Sequence, residues 1–218
     1  MQKLLKYLPL IIILASVFVG FYFYPQLSDP LVSHWDAAGN PNGQMPKFWF
    51  MVTIPAMMIL MYILFLAIPL IDPLKENIKK FRSYFDLFVN IILLFLLYTF
   101  GLTIYWNLGN MFNMSYFIIA PIAILLFFTG ILLEKTKRNW FIGIRTPWTM
   151  SSDVVWEKTH KHGAIIFKVY AVILLLAMFV IKPEYLLIIF IVSLLIVVIW
   201  IFFYSYLEYN KLKRKRKK

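Results

Sequence analysis

Arg145 lies in the run Arg138-Asn139-Trp140-Phe141-Ile142-Gly143-Ile144-Arg145-Thr146-Pro147-Trp148-Thr149-Met150-Ser151-Ser152, within the largest hydrophilic segment between two long apolar stretches. Its guanidinium is charged at any physiological pH and offers paired donors that suit a phosphate or carboxylate. Ser151, Ser152 and Asp153 have the side chains of a helix N-cap. Free backbone N–H groups at such a helix start, with the hydroxyls of Thr146 and Thr149, predict a cradle for an oxyanion. The alternative is a loop tied down by an internal salt bridge or a lipid headgroup, with Trp140, Trp148 and Trp156 as interfacial anchors. The two readings overlap, because a headgroup is itself an anion.

Other polar residues carry less. His34-x-Asp36 and His160-x-His162 each offer two metal ligands, but no third is evident and i,i+2 spacing separates side chains on a helix, so no metal is expected. His34 and Trp35 read either as packing of an outer cap onto helix ends or as a contact for an external ligand. Asp86 and Lys168 fall inside apolar stretches, where an unpaired charge costs roughly 2.5 to 3.5 kcal/mol at a helix centre. They are expected to pair, with Asn90 one turn from Asp86 completing a polar cluster. The chain has no cysteine, hence no thiol nucleophile or disulfide. It also lacks Gly-x-Ser-x-Gly, His-Glu-x-x-His and a second deep carboxylate, so no enzyme and no cofactor is expected.

The elements that position these residues follow from composition. With 62% hydrophobic and only 15% charged residues, and a mean hydropathy of +0.78, the chain reads as a single all-α membrane domain over 1–218. Six apolar runs are long enough to cross roughly 30 Å of hydrocarbon: 7–24, 48–71, 85–106, 116–133, 164–181 and 185–204. Uninterrupted runs of this length satisfy their backbone groups as helices, whereas a barrel needs short alternating segments. The first run follows two lysines as a secretion signal does, but Phe21-Tyr22-Phe23-Tyr24-Pro25 replaces the small residues of a cleavage site, so it is read as a retained anchor. Pro55, Pro69 and Pro121 lie within runs and could break helices, as in a small-molecule or ion transporter, the runner-up function; no matching pair of interrupted segments accompanies them.

Basic residues set the orientation. The segment before the first run carries two, the 72–84 loop four, the 134–163 loop six and the tail seven, whereas the opposite loops hold only Lys47 and Lys182. This predicts both termini in the cytoplasm and explains most of the +12 net charge without direct nucleic-acid binding. The outer segment 25–47 is dense in turn formers, with Asn42-Gly43 a candidate tight turn, and should form a cap between the first two helices. The cytoplasmic 134–163 loop should divide into an extended part, Asn139 to Thr149, and a helix starting at Ser151 to Asp153 that runs through Gly163 into the fifth span. In that helix Glu157 and Lys161 are spaced to pair, and Trp156 and His160 share a face.

Two strings resemble a known family. Asn139-Trp140-Phe141-Ile142-Gly143-Ile144-Arg145-Thr146-Pro147-Trp148-Thr149, followed by Ser151-Ser152, Trp156 and Thr159-His160, is similar to the signature of the SdpI family of bacterial toxin-immunity membrane proteins. His34-Trp35-Asp36, Gly39, Pro41, Gly43 and Lys47 resemble the domain that often forms the N-terminal half of these proteins. The resemblance divides the chain into an N-terminal half, 1–106, with the outer cap, and an SdpI-like half, 116–218, with the signature loop. It implies a multi-pass protein of a prokaryotic plasma membrane that protects against an external antimicrobial peptide and holds a soluble transcriptional repressor at the membrane. On that view the bilayer, a peptide toxin outside and a cytoplasmic repressor are the partners. The loop and the 151–160 helix would then face the repressor or a headgroup, and the 25–47 cap the toxin.

Overall fold

The computed structural model describes residues 2–216; Lys217 and Lys218, two of the basic residues of the tail, lie outside the described residues. The elements are α1 (Gln2–Phe23), a 3-10 turn (Tyr24–Gln26), β1 (Leu31–Trp35), β2 (Pro41–Met45), α2 (Lys47–Ile71), α3 (Lys75–Lys79), α4 (Arg82–Asn107), α5 (Met114–Lys135), α6 (Pro147–Met150), α7 (Asp153–Ala177) and α8 (Pro183–Arg216). Six helices, α1, α2, α4, α5, α7 and α8, are long and apolar enough to cross a membrane, and they coincide with the six apolar runs. The prolines of α1, α2 and α5 sit within continuous helices. α8 has 34 residues, about 51 Å at 1.5 Å per residue, so it exceeds a hydrocarbon core of roughly 30 Å. Its basic last turns must project beyond any such core.

The all-α expectation needs one correction. β1 and β2 form an antiparallel hairpin, pairing Leu31 with Met45, Val32 with Gln44, His34 with Gly43 and Trp35 with Pro41. Its turn is not at Asn42-Gly43, which lies inside β2, but at 36–40. There the Asp36 N–H donates to the Asn40 carbonyl at 2.9 Å and the Gly39 N–H to the Asp36 carbonyl at 3.0 Å. Gly39 has a φ of +87°, which a side chain would strain, and the Asp36 carboxylate accepts the Asn40 N–H at 2.9 Å. An aspartate that bonds the backbone beyond it closes a turn as well as Asn-Gly does.

The spans pack as two groups. Ile12, Met58, Phe85, Val89 and Leu93 join α1, α2 and α4 in one core that also includes Ile142 of the signature loop. Ile119, Ala123, Tyr170, Leu174, Leu186 and Phe190 join α5, α7 and α8 in another, with α5 and α7 the most closely packed pair. Large apolar side chains such as Phe18 and Val180 face outward, 68% and 86% exposed, which in water would be an aggregation surface and in lipid is the expected exterior. The loops gather at two opposite ends. At one end the 72–80 segment touches the signature loop, and at the other the hairpin lies over the α4–α5 connection.

Candidate functional site: the signature loop and its helix

The loop is built from Asn139 outward. This side chain is fully buried, with its Oδ1 accepting the N–H groups of Phe141 at 2.9 Å and Ile142 at 2.6 Å. Its Nδ2 donates to the carbonyls of Lys137 and Ile142, both at 2.8 Å. One amide thus ties a full turn of backbone whose groups would otherwise be buried without partners. The turn brings Gly143 onto α7 with a φ of +116°. A Cβ at that position would lie 2.5 Å from His160 Nε2 and 3.3 Å from Trp156 Cζ2, so both the conformation and the space call for glycine.

Beneath the turn, Trp156 and His160 stack with ring centroids 4.0 Å apart. The Ile144 N–H donates to His160 Nε2 at 2.9 Å, and His160 Nδ1 lies 2.8 Å from the Trp156 carbonyl. One nitrogen must accept and the other donate, which fixes a neutral ring protonated on Nδ1. Trp156 is buried, its Nε1 donating to the Thr136 carbonyl at 3.3 Å, so it is core rather than an interfacial anchor. Helix starts use the hydroxyls that follow. Thr146 caps α6 in a reciprocal capping box with Thr149, and Ser152 caps α7 by accepting from the Val155 N–H. The segment read as extended through Thr149 therefore ends in the short helix α6, which the capping box forms.

This arrangement corrects the cradle drawn from the sequence. Thr149 Oγ1 donates to the Ile144 carbonyl at 2.8 Å, Thr146 Oγ1 lies 3.0 Å from Ser205 Oγ of α8, and Ser151 Oγ donates to the Trp148 carbonyl at 2.9 Å. None of these hydroxyls is left for an anion beside Arg145, because capping groups satisfy the first-turn N–H groups of their own helices. Arg145 itself is exposed, donates through Nη1 to the Trp140 carbonyl, and has no carboxylate partner among the described residues. Trp148, after Pro147 at the start of α6, packs on Phe202 and Tyr206 of α8, both with centroids at 5.1 Å.

The intramembrane cluster is also corrected. Asp86 pairs with Arg82 at 2.7 Å, one turn back on α4, and Lys168 pairs with Glu134 at 2.8 Å across α5 and α7. Asn90 is buried and donates to the carbonyls of Leu5 and Asp86. An i,i+4 partner on the same helix is always within reach of Asp86, whereas Lys168 faces α5. The Glu157–Lys161 pair forms as spaced, at 2.8 Å. Two buried acids were missed. Asp72, in the turn after α2, accepts the N–H groups of Leu74 at 2.6 Å and Trp140 at 2.9 Å; Glu208 of α8 binds Lys158 at 2.9 Å and Lys211 at 2.7 Å. An acidic group at a helix C-terminus, where the dipole disfavours it, was the available signal for Asp72.

At the opposite end the hairpin residues are held to the helices. Asn107 exchanges two 2.9 Å bonds with the backbone of Val32, Asn113 Nδ2 donates to the Ala38 carbonyl at 2.6 Å, and Ser115 Oγ to that of Asp36 at 3.1 Å. Lys47 closes the base, its N–H donating to Asp29 and its Nζ to the Leu27 carbonyl. His34 is exposed and bonds Asn42 through Nδ1. Hydrogen bonds from the backbone and side chain of Asn40 hold the Asp36 carboxyl below the usual range. His34 and Asp36 thus have partners within the hairpin.

Residues 135–205 match the model of the SdpI/YfhL protein family, and residues 11–59 match that of a domain of unknown function, DUF1648. The chain is thus similar to the SdpI/YfhL family over the signature loop, α7 and most of α8. Immunity protein SdpI of Bacillus subtilis (strain 168) is 26% identical over 207 residues, covering 95% of this chain and 97% of that protein. No solved structure matches the chain. The SdpI/YfhL segment begins at the last residue of α5 and contains the whole folded loop, α7 and most of α8. The two family segments correspond to the two ends described above, hairpin and signature loop.

Proposed function

We propose that this protein is an SdpI-like immunity protein of a prokaryotic plasma membrane, protecting its cell against a peptide that acts from outside. The observation that carries the reading is the similarity to Immunity protein SdpI along nearly the whole chain, joined to six spans of membrane length. In this reading the basic end, with both termini and the signature loop, faces the cytoplasm, as the asymmetry of lysine and arginine favours. The hairpin faces out. Arg145, exposed and without a carboxylate partner among the described residues, is the group that would engage an acidic segment of a cytoplasmic repressor or a lipid phosphate.

Expression in a toxin-sensitive host, with survival scored against a panel of membrane-active peptides, tests this directly. Protection against at least one peptide at normal membrane abundance is the expected result. Equal killing with and without the protein across the panel would contradict it. A reporter at the C-terminus and another inserted between Asn40 and Gly43 should report cytoplasm and exterior respectively.

A further inference from the structure

A cavity of about 290 Å³ lies under the hairpin, between the two groups of helices. Its walls include Trp35, Phe50, Phe100, Thr103, Met114 and Leu187, so β1, α2, α4, α5 and α8 all contribute. No lysine, arginine or carboxylate lines it, and the one imidazole in its walls, His34, is bonded to Asn42 through Nδ1. Trp35 Nε1 is buried and has no hydrogen-bond partner among the described residues. Thr103 Oγ1 already donates to the Thr99 carbonyl at 3.0 Å and Ser115 Oγ to that of Asp36, so their protons are engaged. Buried indole N–H groups usually find an acceptor, and leaving one without costs about 1–3 kcal/mol.

We propose that this cavity is a binding site for a neutral apolar group carrying one hydrogen-bond acceptor, an ester or amide carbonyl beside a short aliphatic or aromatic moiety. The indole N–H supplies the donor and the Phe50 and Phe100 rings the apolar walls. With no lysine or arginine in the lining, and its one imidazole already bonded to Asn42, phosphates and carboxylates are disfavoured, and the lack of a carboxylate disfavours amines. The volume is near the lower end for ligand pockets, roughly 300–1,000 Å³, so it accommodates one side chain or a short length of acyl chain and not a whole lipid. The shared chemistry has two sources, the acyl ester of a membrane lipid and an apolar residue of a peptide with its backbone carbonyl. The site does not depend on the immunity reading.

Photolabelling of the full chain in lipid nanodiscs tests it. The probes are a diazirine-bearing acyl methyl ester, N-acetyl photo-leucine methylamide, and free photo-leucine as the charged control. Labelling by a neutral probe should concentrate in segments 31–35, 99–103 and 114–118, and the free amino acid should label them at least tenfold less. Trp35→Phe removes the donor while keeping an aromatic wall, and Thr103→Leu fills space from α4; each should reduce labelling at least fivefold. Preference for the ester assigns lipid as the source, and preference for the methylamide a peptide residue. Labelling spread evenly over the lipid-facing helices, equal labelling by the free amino acid, or labelling unchanged in both variants overturns the proposal.

Discussion

The signature loop and the hairpin differ in how they use their polar groups. In the loop, Asn139, Thr146, Thr149, Ser152 and His160 all bond to the chain's own backbone, and Arg145 is left facing outward. In the hairpin, polar clamps hold the edges, yet Trp35, which lines a cavity beneath, carries an indole N–H with no partner among the described residues. The polar residues of the dense motif therefore serve mainly as a folding device, and space alone does not separate the two regions, since a cavity of about 310 Å³ also lies against residues 141–144 of the loop. Chemistry-bearing residue types, read from sequence alone, point to the first; geometry adds the second.

The sharpest way to break this comparison is Asn139→Ala. It leaves the N–H groups of Phe141 and Ile142 without their acceptor, and at about 1–3 kcal/mol per buried group the expected loss is roughly 3 kcal/mol or more. Thermal melting in detergent should show the largest drop of any variant here, and a loss no greater than that of a surface change would mean the loop is not a scaffold. Gly143→Ala comes next, through strain at positive φ and the close approach to His160, at about 2 kcal/mol; melting should fall even though alanine favours helices elsewhere. His160→Phe keeps a ring on Trp156 but leaves the Ile144 N–H unpaired, for about 1–2 kcal/mol. The charge pairs are the smallest effect, since they are partly exposed: double-mutant cycles should give about 0.5 kcal/mol each for Arg82–Asp86 and Glu134–Lys168. Asp86 with Lys168 should be additive.

What was legible in the sequence was what local spacing governs. Runs of lipid length gave the six helices, and the serine cluster marked the start of α7, where Ser152 does cap the helix. The i,i+4 rule gave Glu157 with Lys161. Arg82 with Asp86 obeys the same rule, but the position of Asp86 in an apolar run points to a longer-range partner, since an apolar run does not show which of its residues lies near the helix end. Lys168 and Glu134 belong to different helices, and which helix faces which is a tertiary fact. The burial of Asp72 and Glu208 is tertiary for the same reason, since each acid is enclosed only when a loop or α7 closes over it. The hairpin turn was misplaced because the Asp36 carboxylate does the work assigned to Asn42-Gly43. Within the candidate site, Thr146 and Thr149, which the sequence reads as ligand-facing, and Trp156, which it reads as interfacial, are buried and bonded within the chain, and the exposed Ser151 hydroxyl donates to the Trp148 carbonyl.

The central claim is that the signature loop is a scaffold that presents Arg145, and one comparison tests it most directly. Arg145→Lys and Asn139→Ala are expressed side by side in the toxin-sensitive host, with melting temperature, membrane abundance and survival measured for each. The account predicts that Arg145→Lys keeps wild-type melting and abundance but loses function, because a point charge replaces a bidentate donor, whereas Asn139→Ala loses stability and abundance first. An Arg145→Lys protein with wild-type survival, or one destabilised as much as Asn139→Ala, would contradict it.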